Sequence, residues 1–385
     1  MRFAWLTPTI LGSWLALSSG RSRDVQYYCD EGTPCFPRYP DRPFCDLTGE
    51  YPASDGVGKT CIPNPVDASV EVDAAEADAT STEPDAGPPA NGPSCDGLAK
   101  TCGPGANSDC CASTIVSGGT YYRSYDLATD AYNDMSYPAT VADFRLDTHE
   151  ITVGRFRKFV QAGMGTQGNA PGASLGAHPQ ISGSGWDPAW NGNLEANTAD
   201  LIAAIKCNQG YQWTDNPGTN ENKPMNCITW YEAMAFCIWD GGYLPTEAEW
   251  NYAATGGSDQ KAFPWSSPSG STTIDCSYAN YRVDDPVGTY CVSGGPNRVG
   301  SESPRGDGKW GQADLAGNIE EWTLDAASSQ YETPCNNCAI LGGTVRTLRD
   351  GNFFYLSSNV RTGTREFADA ASRSGFLGAR CARRP

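Results

Sequence analysis

The chain has 385 residues, with 45 Asp or Glu against 27 Lys or Arg, a formal charge of −18 at pH 7. So acidic a balance excludes nucleic acid as a partner, because phosphate backbones select basic surfaces. The length leaves room for two or three domains and for one large apolar core.

Arg2 precedes an apolar run from Phe3 to Leu17, and Ser18-Ser19-Gly20 supply the small residues of a cleavage site. Residues 1–20 therefore read as a secretory signal peptide, although Pro8 interrupts the run. No later apolar stretch approaches the ~20 residues of a spanning helix, so no transmembrane segment is expected. Sixteen cysteines, an even number, agree with an oxidising compartment. The expected placement is secreted, or periplasmic or cell-surface. With His149 and His178 the only histidines and few regular CxxC pairs, zinc is not expected.

Residues 24–65 hold Cys29, Cys35, Cys45 and Cys61 among Pro, Gly and Asp, a composition that reads as a cysteine-rich module closed by disulfides. Residues 66–93 are rich in Ala, Asp, Glu and Pro with no basic residue, and read as an extended, self-repelling linker. Residues 94–112 carry Cys95, Cys102, Cys110 and Cys111. Adjacent cysteines rarely pair with each other, so Cys110 and Cys111 should bond to Cys95 and Cys102, in either order.

Residues 113–385 have the composition of a globular domain. Thr152 is positioned to cap a helix with Phe156, Phe159 and Val160 on one face and Gly163 at its end. Thr229 with Glu232 and Thr246 with Glu249 form two capping boxes, each followed by an apolar stripe and a Gly-Gly stop. Few long strands appear, so the expectation is an α+β domain low in regular secondary structure.

Asp314-Leu-Ala-Gly-Asn-Ile-Glu-Glu-Trp322 concentrates oxygen donors on one short loop: the carboxylates of Asp314 and Glu321 and the carbonyls of Gly317 and Ile319. Calcium takes six to eight oxygens at flexible geometry, which such a mixed loop suits. Cys335-Asn-Asn-Cys338 lacks the helix that would activate a redox thiol and reads as a structural disulfide. Arg305-Gly-Asp307, between Pro304 and Gly308, reads as a turn rather than an adhesion motif. Trp186 and Trp190 lie in a Gly/Asn-rich stretch suited to an exposed position, whereas the other tryptophans read as core. Arg361, Arg365, Arg373 and Arg380 are expected to pair with buried acids.

Taken in order, Ser117-Gly-Gly-Thr120, Phe144–Val153, Pro224–Trp230, Gly242-Tyr-Leu-Pro-Thr-Glu-Ala-Glu-Trp-Asn-Tyr-Ala253, Phe263-Pro-Trp265, the Asp314 loop, Arg349-Asp-Gly-Asn-Phe353 and Leu377-Gly-Ala-Arg-Cys381 resemble the formylglycine-generating enzyme family, or sulfatase-modifying factors. The resemblance covers residues 113–385 and neither N-terminal cysteine cluster. It implies a C-type-lectin-like fold with a structural calcium on Asp314, Gly317, Ile319 and Glu321, and a possible second calcium beginning at Asn280-Tyr281. It also implies a disulfide between Cys237 and Cys381. In the active enzyme two cysteines beyond the Arg-x-Gly-Ser block hold copper for oxidation of a sulfatase cysteine. Here the gap-free register places Tyr355 and Val360 at those positions, and no Cys lies between Cys338 and Cys381. Copper is not expected.

The reading that follows is a secreted, catalytically degenerate member that binds a peptide, protein or glycan. Two others stand beside it: an active formylglycine-generating or thiol-redox enzyme using Cys335 and Cys338, and a structural envelope protein. An iron-dependent sulfoxide synthase, which resembles the same fold, needs three histidines and is excluded by the count.

Overall fold

The computed structural model describes residues 44–45, 61–62, 92–125, 127–128, 135–207, 210–293 and 295–385. The signal-peptide reading, the linker up to residue 91 and most of the 24–65 module lie outside the described residues. Residues up to Asp85 and from Ala86 onward form separate units. In the first, β1 (Phe44–Cys45) and β2 (Cys61–Ile62) pair antiparallel, with Cys45 opposite Cys61.

The second unit is α+β. Its strands are short: β3 (Ser113–Val116), β4 (Gly119–Tyr122), β5 (Pro138–Val141), β6 (Phe144–Asp147), β7 (Glu320–Ala326), β8 (Cys335–Asn336), β9 (Val345–Arg349), β10 (Glu366–Asp369), β11 (Leu377–Gly378) and β12 (Ala382–Arg383). They make three small sheets, ordered β10-β9-β7-β11, β12-β6-β3 and β4-β5-β8. The helices are α1 (Val153–Gln161), α2 (Thr198–Ala204), α3 (Trp230–Trp239) and α4 (Glu247–Thr255).

Local chemistry accounts for the helix starts. Thr152 accepts from the Arg155 amide, and both Thr229/Glu232 and Thr246/Glu249 close full capping boxes. Gly256, at φ 69°, ends α4 in the left-handed region. The short α2 was not anticipated. Its start signal is Asn197, which accepts from the amides of Ala199 and Asp200, but only Leu201 on it is buried, too thin a stripe to read as periodic.

Phe156, Phe159 and Phe236 pack ring to ring at 5.2–5.7 Å between α1 and α3. Trp186 and Trp190, expected to be exposed, join this core instead. Trp186 is buried and donates to Asn191 at 2.8 Å, and Trp190 stands edge-on to Trp230 at 5.1 Å. A 3₁₀ turn over Pro188–Asn193, capped by Asp187, folds the stretch back onto the domain.

The second cysteine cluster pairs as Cys95–Cys111 and Cys102–Cys110. It is stitched to the domain: Ser94 donates its amide to Asp240 at 2.9 Å, and the Gly103 amide donates to the Val299 carbonyl at 2.9 Å. Cys237 of α3 is bonded to Cys381, just ahead of β12. Two further disulfides join Cys207 to Cys227 and Cys276 to Cys291.

Candidate metal centre and the segment beyond Arg349

The loop from Asp314 to Glu321 is shaped by three left-handed residues in a tight path: Asp314 at φ 53°, Gly317 at 89° and Asn318 at 64°. A Cβ on Gly317 would lie 2.4 Å from the Asn280 carbonyl, so the close approach of the two loops requires glycine there. Asn318 then acts as a bracket. It donates its amide to the Asn280 carbonyl at 2.8 Å and its side-chain NH₂ to Glu150 at 2.8 Å, and its side-chain oxygen accepts from the Asn297 amide.

Asp314 accepts from the Gly300 amide at 2.6 Å. Glu321, fully buried, receives the Arg380 guanidinium at 2.7–2.9 Å and the Trp250 indole N–H at 2.7 Å. The remaining Arg380 hydrogens go to the carbonyls of Asp147, Thr148, Ala313 and Asp314. The guanidinium thus fastens the loop from below.

The carboxylates that gather with Glu321 are those of Glu150 and Asp350, each with an oxygen within 4.8 Å of the others'. Asp314 is not in that group of three. Glu150 comes from the turn between β6 and α1, and Asp350 from the residue after β9. Sequence reading missed both, because each is a single acid beside a turn, distant in the chain from the Asp314 loop. Asp350 is 1% exposed with a φ of 91°, and neither of its carboxylate oxygens has a hydrogen-bond partner. Oε1 of the buried Glu150 is likewise unpartnered. Burial, followed by repulsion from neighbouring carboxylates, pushes the Glu150 and Asp350 carboxyls well above the usual range. Burial and Glu302 push Asp314 up to about 8. Orphaned, buried, oxygen-only donors fit a hard cation such as calcium.

At the other sequence-predicted position, Asn280 is buried and its side-chain oxygen is unpartnered, while its NH₂ reaches the Gly295 carbonyl and Asn318. The Tyr281 carbonyl is already taken by the Cys291 amide at 3.1 Å.

Beyond β9 the chain turns through Gly351, where a Cβ would meet the Asn359 carbonyl at 2.4 Å. Arg349 anchors the turn by pairing with Glu247 and donating to the Thr362 and Thr364 carbonyls. Tyr355 and Val360 then pack with Phe263, Ala279 and Tyr281 in a small apolar cluster. Burial pushes the Tyr355 phenol up to about 12. These two side chains offer no soft ligand, and the twelve cysteines from Cys95 to Cys381 are all in disulfides. The residues present do not fit copper. Next to them Phe354 is 46% exposed, between Tyr290 and Phe376 at ring distances of 5.6 and 5.7 Å.

Cys335 and Cys338 are bonded to each other, with no helix following, and an Arg123 N–H lies 3.4 Å from the Cys338 sulfur. His178 is buried against Glu249 at 3.0 Å, and its Nδ1 accepts from the Gln180 amide. Burial, with Arg380 and Arg155 nearby, lowers the His149 imidazole to about 4. Arg305-Gly-Asp307 folds as a turn, with Arg305 over the Tyr278 ring and Asp307 bonded to Ser303. Arg373 and Arg380 pair with buried Glu232 and Glu321; Arg365 lies over Tyr331 at 4.1 Å.

Residues 100–385 match the model of the sulfatase-modifying factor enzyme 1-like domain. A formylglycine-generating enzyme of Thermomonospora curvata is 31% identical over 269 residues, covering 64% of this chain and 83% of that protein. The hercynine oxygenase of Mycolicibacterium smegmatis is 26% identical, over 70% of this chain and 60% of its own length. A bovine protein named inactive C-alpha-formylglycine-generating enzyme 2 is 32% identical over 162 residues, 41% of this chain and 50% of that one.

Proposed function

The chain belongs to the sulfatase-modifying factor enzyme 1-like domain family, and on that premise we propose that it is a secreted, catalytically degenerate member that binds a peptide, protein or glycan. One observation carries this reading. The positions in register with the copper-holding cysteines are Tyr355 and Val360, packed into an apolar cluster, so cuprous ion has no thiolate to grip there.

The surface beside them supports binding. Phe354, Tyr290 and Phe376 form an aromatic face, and half-exposed aromatic side chains bury large area at low entropy cost. A bovine relative whose name calls it inactive supports the reading. Structural calcium on the Asp314 loop, through Asp314, Gly317, Ile319 and Glu321, belongs to the same proposal.

The test incubates the full chain with a cysteine-containing sulfatase peptide, copper and oxygen and follows the aldehyde mass. No conversion is expected, and turnover overturns the reading. A peptide and glycan array, with Phe354→Ala as the comparison, tests the binding face; loss of array signal in the variant is the expected result.

A further inference from the structure

We propose that Glu150, Glu321 and Asp350 together hold a hard divalent cation of the calcium class inside the domain. This deepens the calcium reading above and departs from it, since Glu321 alone is shared with the four-donor loop.

The argument starts from charge and from unmet coordination. Glu150, Glu321, Asp350 and the nearby Asp314 are four carboxylates, and Arg380 is the guanidinium that faces them. Its side-chain ion pair is with Glu321. Nothing comparable reaches Asp350: both its oxygens are without a donor, at 1% exposure. Glu150 keeps one oxygen bonded to Asn318 and leaves Oε1 bare. A buried carboxylate without a counter-charge or donor is costly, and native proteins resolve the cost by pairing, protonation or metal binding.

Protonation answers the charge but not the coordination, because it leaves the second oxygen of Asp350 without a donor. A divalent cation answers both. It contacts several oxygens at once and supplies the missing positive charge.

The donors select the class of ion. All are carboxylate oxygens, which suit calcium, magnesium or manganese rather than thiophilic metals. Calcium–oxygen bonds of about 2.3–2.6 Å span oxygens up to roughly 5 Å apart, whereas magnesium, at about 2.1 Å, needs them drawn closer. Three oxygens within 4.8 Å of one another share a point no more than about 2.8 Å from each, close to calcium–oxygen distances and well beyond those of magnesium. The three ligands come from the turn before α1, from β7 and from the residue after β9. The ion would therefore clamp to the core the segment that carries Phe354 and Tyr355.

The site carries its own reporter, since Trp250 donates to Glu321 at 2.7 Å and can sensitise terbium luminescence. The full chain, stripped with chelator, is titrated with terbium and then competed with calcium, alongside Asp350→Asn, Glu150→Gln and Asp314→Asn. Melting temperature is followed in calcium and in chelator. Sensitised luminescence that calcium displaces is expected, with affinity falling tenfold or more in both Asp350→Asn and Glu150→Gln. In chelator, Asp350→Asn should melt above the wild type, because it removes repulsion that otherwise only an ion or a bound proton offsets. The proposal is overturned if the wild type binds no terbium or calcium. It is equally overturned if Asp350→Asn and Glu150→Gln stay within threefold of wild-type affinity. Loss confined to Asp314→Asn leaves the four-donor loop standing and removes this assignment alone.

Discussion

Arg155 and Asp240 face each other at 2.6 Å with neither side chain exposed to solvent. The pair is the centre of a larger array, because Arg155 also reaches Asp147 at 2.8 Å and Ser94 at 3.0 Å, and Arg383 reaches both acids. Two guanidiniums balance two carboxylates, and the array ties α1, the end of α3, β6, β12 and the second cysteine cluster together. Burial alone would raise the Asp240 carboxyl, but Arg155 and Arg383 hold it below the usual range.

Removing one member strands a buried charge, which costs about 3–5 kcal/mol. Asp240→Ala should therefore destabilise the domain by that amount in a denaturant titration. A change below about 1 kcal/mol would mean that the array contributes little.

The Cys237–Cys381 disulfide closes a separation of 144 residues and pins β12 to α3. Replacing both cysteines by Ala should lower stability by about 2–5 kcal/mol, since the unfolded chain regains freedom. The other bridges should stay intact, as thiol counting under denaturing conditions would show.

Glu232 serves two partners at once. It accepts from the Thr229 amide in the capping box of α3 and is paired with Arg373 at 2.5 Å. Glu232→Ala removes the glutamate half of the capping box and leaves Arg373 with Glu195 alone, so a loss of about 2–3 kcal/mol is expected. Glu232→Gln, which retains the cap acceptor, should recover part of it.

Asp325 on β7 is fully buried and accepts the amides of Glu247 and Ile340 at 2.8 and 3.0 Å. Burial, tempered by Arg123, raises its carboxyl to about 6. The folded chain then holds a proton between pH ~4 and ~6 that the unfolded chain has released, so this residue's contribution falls as pH rises through that window. Asp325→Asn should flatten the dependence of unfolding free energy on pH between 4 and 6. An unchanged slope would assign it to other groups.

How much of this was legible beforehand differs by element. The cap residues of α1, α3 and α4 announced those helices because capping is a contact across three residues and is written locally. Asn197 and α2 escaped because seven residues with one buried side chain carry no periodicity. Trp186 and Trp190 sat among Gly and Asn, and only the turn that Asp187 caps sends them inward.

The Asp314 loop was visible as a run of donors, whereas the acids that gather with Glu321 were not. Glu321 turns to Arg380 and Trp250, and its acid neighbours arrive from residues 150 and 350.

By itself the sequence determined the even cysteine count, the family and the lack of cysteine between Cys338 and Cys381, because composition and short motifs are properties of the chain. Which oxygens converge in the interior was decided by folding alone. Burial brings distant carboxylates together, and the loss of water is what gives their spacing chemical meaning.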